Sequence, residues 1–301
     1  MDFTIDSATP AVSASFDATP DPRLRELMQM LTRHLHNFVR EAAPSIEEWN
    51  AAIAFLTDVG HWCSDTRQEY ILLSDVLGVS MLVETINGQD GGTESTVLGP
   101  FHMTESPRRN VGDSIDMIGG GRTCVIRGEV RSTAGKPLAG ATVDVWQCTE
   151  DGFYDVQQPD VQPAGNGRGL FTTDEDGGYW FRTVVPSYYP IPTDGPVGRL
   201  LDATRRHPYR PAHVHFLVSA DGHEEVITHA FVAGSAYSDS DAVFAVKKQL
   251  LVDFAECTDA DLATRYGVEV PFVLAEFDLI LQEQEQQRRR PSDDDAEGSA
   301  G

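Results

Sequence analysis

The sequence predicts a mainly β protein, in which an antiparallel β-sandwich follows an N-terminal helical domain. From about Arg122 onward, short runs rich in β-branched and aromatic residues are separated by turn residues, with no helical pattern between them. Between Asp21 and about Asn87, apolar residues instead recur at the spacing of amphipathic helices. Because strands joined by short turns pair with their neighbours, the first pattern favours antiparallel sheets packed face to face.

Three helices are predicted in the N-terminal third. The first begins at Asp21 and Pro22, an N-cap followed by proline at the first helical position. Its apolar residues form one stripe, made of Leu24, Leu27, Met28, Leu31, Leu35 and Phe38. A capping box from Ser45 to Glu48 opens the second helix, which carries Trp49, Ile53 and Leu56 on one face. The third runs from Glu69 to Glu84 and is interrupted at Gly78.

The predicted strands follow in order along the chain. They are CVIRGEV, ATVDVWQ, a pair within GLFTTDEDGGYWFRTVV and a pair within HVHFLVSADGHEEVITHAFV. The segment Ala242 to Phe254 is compatible with a short helix or a returning strand, and Val268 to Leu281 is expected to close the sandwich.

Composition divides the chain into four parts. We expect a disordered tail over residues 1–20, a helical domain over 21–100, a β-sandwich over 101–283 and a disordered acidic tail over 284–301. Both tails have too few large apolar residues to offset the entropy lost on ordering.

Charge and cysteine content exclude several classes of protein. The formal net charge of -24 repels polyanions, so a nucleic-acid partner is not expected. The four cysteines form no C-x-x-C pair, which predicts free thiols and a reducing compartment. The first residues lack an apolar signal segment, and no later stretch reaches the roughly 20 apolar residues of a membrane span. These features predict a cytoplasmic protein without membrane insertion.

The clearest chemical signal is His213-Val214-His215 on a predicted strand. This spacing places both imidazoles on one face of the strand, where a single zinc, copper or iron ion accepts both. Alternatively, the two histidines line a core or a surface. Two tyrosines, Tyr154 and Tyr189, follow the ends of other predicted strands, although a tyrosine at a strand end is ordinary when taken alone.

Several motifs in order along the chain resemble one family, the intradiol ring-cleavage dioxygenases. They are LGPFH, RGEV with GKPLAGATVDVWQ, DGFYD, YWFRTVVPSYYPIPTDGPVG and RPAHVHF, and the resemblance spans roughly residues 24 to 280. Within the family, the sequence most resembles the enzymes that cleave hydroxyquinol (benzene-1,2,4-triol).

The resemblance implies a non-haem ferric ion, Fe(3+), held by Tyr154, Tyr189, His213 and His215. Two phenolates and a hydroxide would neutralise its three charges, and hard oxygen donors favour Fe(III) over Fe(II). The family also implies catalytic roles for Arg210, as a fixed cation beside the ring, and for Tyr189, as the ligand that leaves the metal and takes a substrate proton.

By the same resemblance, the substrate pocket is lined by Leu72, Asp75, Val97, Leu98, Gly99, Pro190, Ile191, Pro192, Arg210 and Val243. Asp75 lies in the apolar run YILLSDVLGVSML, where catechol-preferring relatives tend to be apolar. A carboxylate there would accept a hydrogen bond from the third hydroxyl of hydroxyquinol, which catechol lacks. His229 takes a place where catechol-type relatives often have Gln, and Gly234-Ser235 departs from the usual Gly-Asp.

We therefore expect cleavage of hydroxyquinol between its adjacent hydroxylated carbons, giving 3-hydroxy-cis,cis-muconate or maleylacetate. One alternative is a catechol or chlorocatechol 1,2-dioxygenase giving cis,cis-muconate. Alternatives from other classes are a non-catalytic sandwich binding domain and a copper or zinc enzyme that uses the histidine pair alone. The resemblance implies that the helical domain forms a homodimer, with a phospholipid at its interface in some relatives, although its apolar stripe is equally able to pack on its own sandwich.

Overall fold

A computed structural model describes residues 3–64, 67–88, 91–102 and 106–284. The chain divides into two compact units, the first ending at His61 and the second beginning at Trp62. This boundary lies well before the one expected near residue 100. The predicted acidic tail, apart from Gln284, lies outside the described residues.

The first unit is helical, with α1 (Ala8–Ala14), α2 (Pro22–Ala42) and α3 (Ile46–His61). Helix α2 begins as predicted, because the Asp21 carboxylate accepts hydrogen bonds from the first backbone N–H groups of the helix. The capping box before α3 is also confirmed. The Ser45 hydroxyl accepts from the Glu48 N–H at 3.2 Å, and the Glu48 carboxylate accepts from the Ser45 N–H at 2.8 Å.

Helix α1 lies in the N-terminal segment that was predicted to be a disordered tail, so that prediction was wrong for this helix. Its Thr9 hydroxyl is 3.0 Å from His36 Nδ1 and accepts a hydrogen bond from Arg40 Nη2 at 2.6 Å, both on α2. Polar side chains of a neighbouring helix therefore hold a segment that contains few large apolar residues of its own.

The predicted apolar stripe on α2 remains half exposed. Of its residues, Leu31 is 50 % exposed, Leu35 54 % and Phe38 64 %, and Trp49 on α3 is 53 % exposed. Apolar side chains of this size in one contiguous region are typical of an interaction surface.

In the described part of the second unit there are four α-helices, α4 (Glu69–Val76), α5 (Val79–Asn87), α6 (Pro196–Ala203) and α7 (Ala260–Tyr266). The predicted interruption at Gly78 separates α4 from α5, and Gly78 has φ = 71°, a left-handed conformation that suits glycine. Helices α6 and α7 were not predicted, because each spans only two turns and has too few residues to establish a helical period.

Among the residues that the structure describes, twelve strands form two five-stranded sheets and one two-stranded ladder. The first sheet contains β1 (Thr123–Ser132), β4 (Gly178–Val184), β10 (Ala255–Cys257), β11 (Phe272–Glu276) and β12 (Leu279–Leu281). The second has the order β3-β2-β7-β8-β9, with β2 (Thr142–Trp146), β3 (Arg168–Thr172), β7 (His213–Ser219), β8 (Val226–Val232) and β9 (Leu251–Val252). The ladder pairs β5 (Tyr189–Pro190) with β6 (Tyr209–Arg210).

The expectation of strictly antiparallel sheets was wrong. Strand β1 runs parallel to β11 and β12, and β8 runs parallel to β9. Parallel neighbours need a crossover connection: a long loop joins β8 to β9, whereas several other strands and helices lie between β1 and β11 along the chain. For residues 242–254 the structure has both a short 3-10 helix (Lys248–Leu250) and the strand return, at β9. The expected closing strand is divided into β11 and β12.

The two large sheets pack face to face around one apolar core. Phe181 of the first sheet lies between Phe171 and Phe216 of the second, with ring centroids 5.2 and 6.4 Å apart. Along β7, Val214 and Phe216 point into this core, so His213 and His215 point to the opposite face of the sheet. That outer face, covered by loops, carries the candidate site.

Cys124, Cys148 and Cys257 are free thiols, as predicted. Within the described residues, no helix is long and apolar enough to cross a membrane.

Candidate metal centre

A row of four buried side chains crosses the outer face of the second sheet. Arg168 on β3 lies opposite Trp146 on β2, Trp146 lies opposite His215 on β7, and His215 lies opposite His229 on β8. Directly opposed residues point to the same face of a sheet. Strand pairing therefore places a third histidine beside the predicted pair.

The two tyrosines reach this face from loops and from the small ladder. Tyr154 follows β2 in a tight turn, in which its backbone N–H donates to Gln157 Oε1 at 2.9 Å. Its ring stacks on Phe101, with centroids 4.6 Å apart. Tyr189 lies on β5 directly opposite Arg210 on β6, so one short ladder positions a tyrosine and an arginine together.

The four predicted metal ligands converge. Tyr154 Oη is 3.2 Å from Tyr189 Oη, Tyr189 Oη is 3.3 Å from His213 Nε2, and His213 Nε2 is 3.2 Å from His215 Nε2. All four side chains are buried. An ion bound at about 2.0–2.1 Å from each donor has neighbouring donors roughly 3 Å apart, so this spacing fits a single ion.

The two histidines are held with their Nε2 atoms towards this point. His213 Nδ1 donates to the Pro211 carbonyl oxygen at 2.7 Å, which leaves Nε2 with the lone pair that a metal needs. The His215 ring stacks on Trp146, with centroids 4.6 Å apart and planes 10° apart. Gly99 covers its edge with φ = 77°, and a Cβ there would lie 3.0 Å from His215 Cε1.

Burial determines the protonation of these groups in the metal-free protein. It raises the pKa of Tyr154 well above its ordinary value, and the neighbouring Tyr189 adds to this effect. Burial also raises the pKa of Tyr189, although Arg210 opposes that shift. The pKa values of His213 and His215 are lowered, first by burial. Two neutral phenols beside two neutral imidazoles become a binding site only for a cation charged strongly enough to displace phenolic protons.

His229 is the third member of the histidine cluster and was not predicted as a ligand. One ring nitrogen from each of His213, His215 and His229 lies within 4.8 Å of the others. His229 Nδ1 is bonded to the Thr96 hydroxyl, and its Nε2 is 3.5 Å from Arg210 Nη2. Its place in the site follows from the β7–β8 register, which the sequence pattern alone does not specify.

Arg210, the predicted catalytic cation, is buried at the edge of the metal centre. Its Nη1 lies 3.4 Å from His213 Nε2, and its Nε donates to Asp241 Oδ1 at 3.3 Å. Both residues of this ion pair are at most 4 % exposed. Asp241 was not predicted as a site residue.

The apolar residues expected in the substrate pocket are only partly brought together. Leu72, Val97, Ile191 and Val243 belong to the main apolar cluster of the second unit. By contrast, the remaining apolar positions are more accessible: Leu98 is 37 % exposed, Pro190 is exposed and Pro192 is half-buried. The pocket assignment of these residues stays a prediction.

Asp75 is buried on α4, at 4 % exposure. Burial raises the pKa of its carboxyl group, a hydrogen bond from Ser80 and the charge of Arg210 oppose the shift, and Asp241 adds to it. Within the described part of the chain, Asp75 Oδ1 has no hydrogen-bond partner. A buried acceptor without a partner is costly for a protein, and this cost is avoided when a ligand donor reaches it.

Ser235, which departs from the Gly-Asp pair usual in the family, has a structural role. Ser235 Oγ accepts a hydrogen bond from the Ala212 N–H at 2.9 Å. Ala212 directly precedes His213, so Ser235 helps to hold the start of the histidine strand. The sequence analysis left this role open.

Comparisons with known proteins identify the family. A model described as "Dioxygenase" matches residues 99–283, and one described as "Catechol dioxygenase N terminus" matches residues 21–93. A hydroxyquinol 1,2-dioxygenase from a Rhizobium species is 50% identical over 283 residues, which cover 91% of this chain and 96% of the relative.

Solved structures of dioxygenases are also similar to this chain. A hydroxyquinol 1,2-dioxygenase from Pseudomonas putida superposes with a TM-score of 0.86 and 42% identity, covering 93% of this chain and 99% of that one. A catechol 1,2-dioxygenase from an Acinetobacter species gives a TM-score of 0.79 at 30% identity, covering 97% of each chain. The convergence of the predicted ligands and the mixed sandwich with its helical N-terminus agree with these relatives. Together they show that the chain belongs to the intradiol ring-cleavage dioxygenases.

Proposed function

We propose that this protein is a non-haem Fe(III) dioxygenase that cleaves hydroxyquinol between its adjacent hydroxylated carbons, giving 3-hydroxy-cis,cis-muconate or maleylacetate. The observation that carries the proposal is the convergence of two phenol oxygens and two imidazole nitrogens, 3.2–3.3 Å apart, on one buried face. Two phenolates are hard anionic donors, which suit a ferric ion better than a softer or less charged metal.

Tyr154, Tyr189, His213 and His215 would hold the ion. When bound, a ferric ion supplies the Lewis acidity that favours the deprotonated diol and an electron-rich ring able to react with oxygen. The surrounding protein residues determine which protons move and how developing charge is stabilised.

Tyr189 is suited to accept a substrate proton. Its hydroxyl lies between Tyr154 Oη and His213 Nε2, and burial raises its pKa, which favours the neutral phenol once the oxygen is no longer bound to a cation. The Tyr189 phenolate would therefore be a competent base for a substrate hydroxyl. We assign this role to Tyr189 from its position in the family, and Tyr189 lies opposite Arg210 on the ladder.

Arg210 would stabilise negative charge on the ring. Its guanidinium is buried and is held by Asp241, so it needs little reorganisation when charge develops. A fixed cation in a dry site acts more strongly than the same cation in water.

Asp75 supports hydroxyquinol as the substrate. Its buried Oδ1 has no partner among the described residues, and a third ring hydroxyl is a donor that catechol does not offer. Relatives named hydroxyquinol 1,2-dioxygenase are 45–51% identical to this chain, whereas a catechol 1,2-dioxygenase from Candida albicans is 38% identical.

Oxygen uptake by purified, iron-loaded protein tests this function with hydroxyquinol, catechol, chlorocatechols and protocatechuate as substrates. We expect the highest kcat/KM for hydroxyquinol and one oxygen molecule consumed per ring cleaved. Catechol or chlorocatechol turned over at least as well would favour the alternative substrate class. Zinc or copper as the resident metal, without oxygen uptake after iron loading, would favour an enzyme built on the three histidines and reject the proposal.

We further propose a homodimer formed through the apolar faces of α2 and α3. Leu31, Leu35 and Phe38 on α2 and Trp49 on α3 are each at least half exposed, and burial of such side chains against a second copy is favourable. A phospholipid chain is a second ligand of suitable chemistry for the same face. Sedimentation of the protein before and after lipid extraction, with mass spectrometry of the extract, separates these two contributions.

We propose a cytoplasmic location, which the free thiols of Cys124, Cys148 and Cys257 support. Free thiols persist in reducing compartments. Cell fractionation, followed by detection of the protein and its oxygen uptake, tests the location.

A further inference from the structure

Asp241 holds two parts of the site with one carboxylate. Its Oδ1 accepts from Arg210 Nε at 3.3 Å and from the Val243 N–H at 3.3 Å, and its Oδ2 accepts from the Ala245 N–H at 3.0 Å. Asp241 is 4 % exposed. The same group therefore compensates the charge of Arg210 and shapes the backbone that carries Val243.

The other end of Arg210 faces the imidazoles. Nη1 lies 3.4 Å from His213 Nε2, and Nη2 lies 3.5 Å from His229 Nε2. The guanidinium thus spans the distance between Asp241 and the histidine cluster. The hydrogen bond from Nε to Asp241 orients the whole guanidinium group, because that group is rigid and planar.

Asp75 is a second buried carboxylate in the field of the same cation. The charges of Arg210 and Asp241 both act on its pKa, in opposite directions, in addition to the larger effect of burial. Arg210 pairs with Asp241, whereas Asp75 Oδ1 has no partner among the described residues. Arg210 therefore forms an ion pair with only one of these two carboxylates. The segments that carry them are joined by Arg206, which donates to the Val76 carbonyl oxygen at 2.6 Å and to the Ala242 carbonyl oxygen at 3.2 Å.

We propose that Asp241 is a positioning residue for substrate selectivity, which keeps Arg210 on the imidazole side and leaves Asp75 unpaired for the third hydroxyl of the substrate. This inference rests on the proposed function. If Asp241 loses its charge, Arg210 becomes a buried cation without a counter-ion, and Asp75 is the acceptor in its field that remains. Pairing with Asp75 would remove both the hydroxyl acceptor and the cation beside the ring.

The test compares Asp241→Asn with Asp239→Asn in the iron-loaded enzyme. Asp239 is an exposed residue of the same loop whose carboxylate accepts only from Ser240 among the described residues, so its substitution removes the same charge without touching Arg210. Asp241→Asn should lower kcat/KM for hydroxyquinol about tenfold to a hundredfold and lower it less for catechol. Asp239→Asn should leave the ratio of the two substrates unchanged.

A double-mutant cycle with Asp75→Ala separates positioning from a structural role. If Asp241 acts on selectivity through Asp75, the variant carrying both changes has the substrate ratio of Asp75→Ala alone. Independent multiplication of the two ratio changes, or equal loss of both activities in Asp241→Asn, would overturn the inference.

If Asp241→Asn does not fold, Arg210→Lys tests the same inference. Lysine keeps the charge but lacks the Nε fork that Asp241 holds, so the substrate ratio should fall in this variant as well. An unchanged ratio would overturn the inference. Wild-type protein that does not consume hydroxyquinol would reject the proposed function and the inference together, whereas normal wild-type turnover with an unchanged Asp241→Asn ratio would reject the inference alone.

Discussion

The buried ion pair between Asp155 and Arg168 provides the sharpest test of how the metal centre is held. Asp155 directly follows Tyr154, and Arg168 lies in the row that contains Trp146 and His215. Asp155 Oδ1 accepts from Arg168 Nε at 2.8 Å and lies 2.7 Å from Nη2, while Oδ2 accepts from the Gly165 N–H at 2.8 Å. Both side chains are at most 2 % exposed. The pair therefore joins the tyrosine loop to the histidine sheet.

Asp155→Asn preserves the shape of the side chain and removes its charge. Within the described residues, Arg168 Nη1 has no hydrogen-bond partner, so its charge depends on Asp155 for compensation. Removing one partner of a buried pair costs about 3–5 kcal/mol of unfolding free energy. The control is Glu276→Gln, which removes a carboxylate from the Arg127 pair at the surface, where Glu276 is 62 % exposed. Exposed pairs contribute about 0–1 kcal/mol.

Thermal unfolding of the metal-free proteins measures this difference. For a protein unit of this size, about 2–4 °C in Tm corresponds to 1 kcal/mol, so Asp155→Asn should lower Tm by about 6–20 °C. The control should change Tm by less than about 4 °C. Replacing both partners, as in Asp155→Leu with Arg168→Met, should recover much of the loss, because no charge is then left buried alone. A Tm change in Asp155→Asn no larger than that of the control would refute this reasoning.

Four further predictions follow from the site and the helical unit. Tyr154→Phe should lower iron content and weaken the visible tyrosinate-to-iron absorption, as measured by elemental analysis and spectrophotometry; full retention of both would remove Tyr154 from the ligands. Asp75→Ala should cost about 1.5–3 kcal/mol in kcat/KM for hydroxyquinol and much less for catechol, with iron and colour retained, as steady-state kinetics would show. In the metal-free protein, burial holds the pKa of His229 well below its ordinary value, so the unfolded state binds the proton first and unfolding free energy falls as pH drops below about 6.5. Denaturation at several pH values should show His229→Gln reducing this slope by up to about 1.4 kcal/mol per pH unit, and an unchanged slope would contradict the burial argument. Leu35→Glu should convert the proposed dimer to a monomer in sedimentation experiments, whereas Glu26→Gln, which changes an exposed charged residue of the same helix, should not.

Much of the local structure was predictable because its causes lie within a few residues of each other. The Asp21 cap, the capping box at Ser45 and the break at Gly78 depend on backbone groups one turn away. The alternation along β7 likewise placed His213 and His215 on one face without knowledge of any other strand. The identity of the four predicted ligands came from motifs that resemble a family, and the structure brings these residues together.

The features that were missed depend on contacts between distant parts of the chain. The parallel pairing of β1 with β11 joins residues about 150 positions apart, and no local period specifies its direction. Helix α1 is held by side chains of α2, and His229 reaches the centre only through the register of β7 with β8. None of these contacts alters the local sequence pattern.

The sequence by itself determined the types of donor and the helical and sandwich regions, since these follow from residue chemistry and short-range spacing. Only the tertiary structure decided which carboxylate compensates which cation: Asp155 pairs with Arg168, Asp241 pairs with Arg210, and Asp75 keeps an oxygen without a partner among the described residues. The physical reason is that a buried charge is stabilised by groups within a few ångströms in space, and sheet register and loop return, not distance along the chain, determine which groups those are.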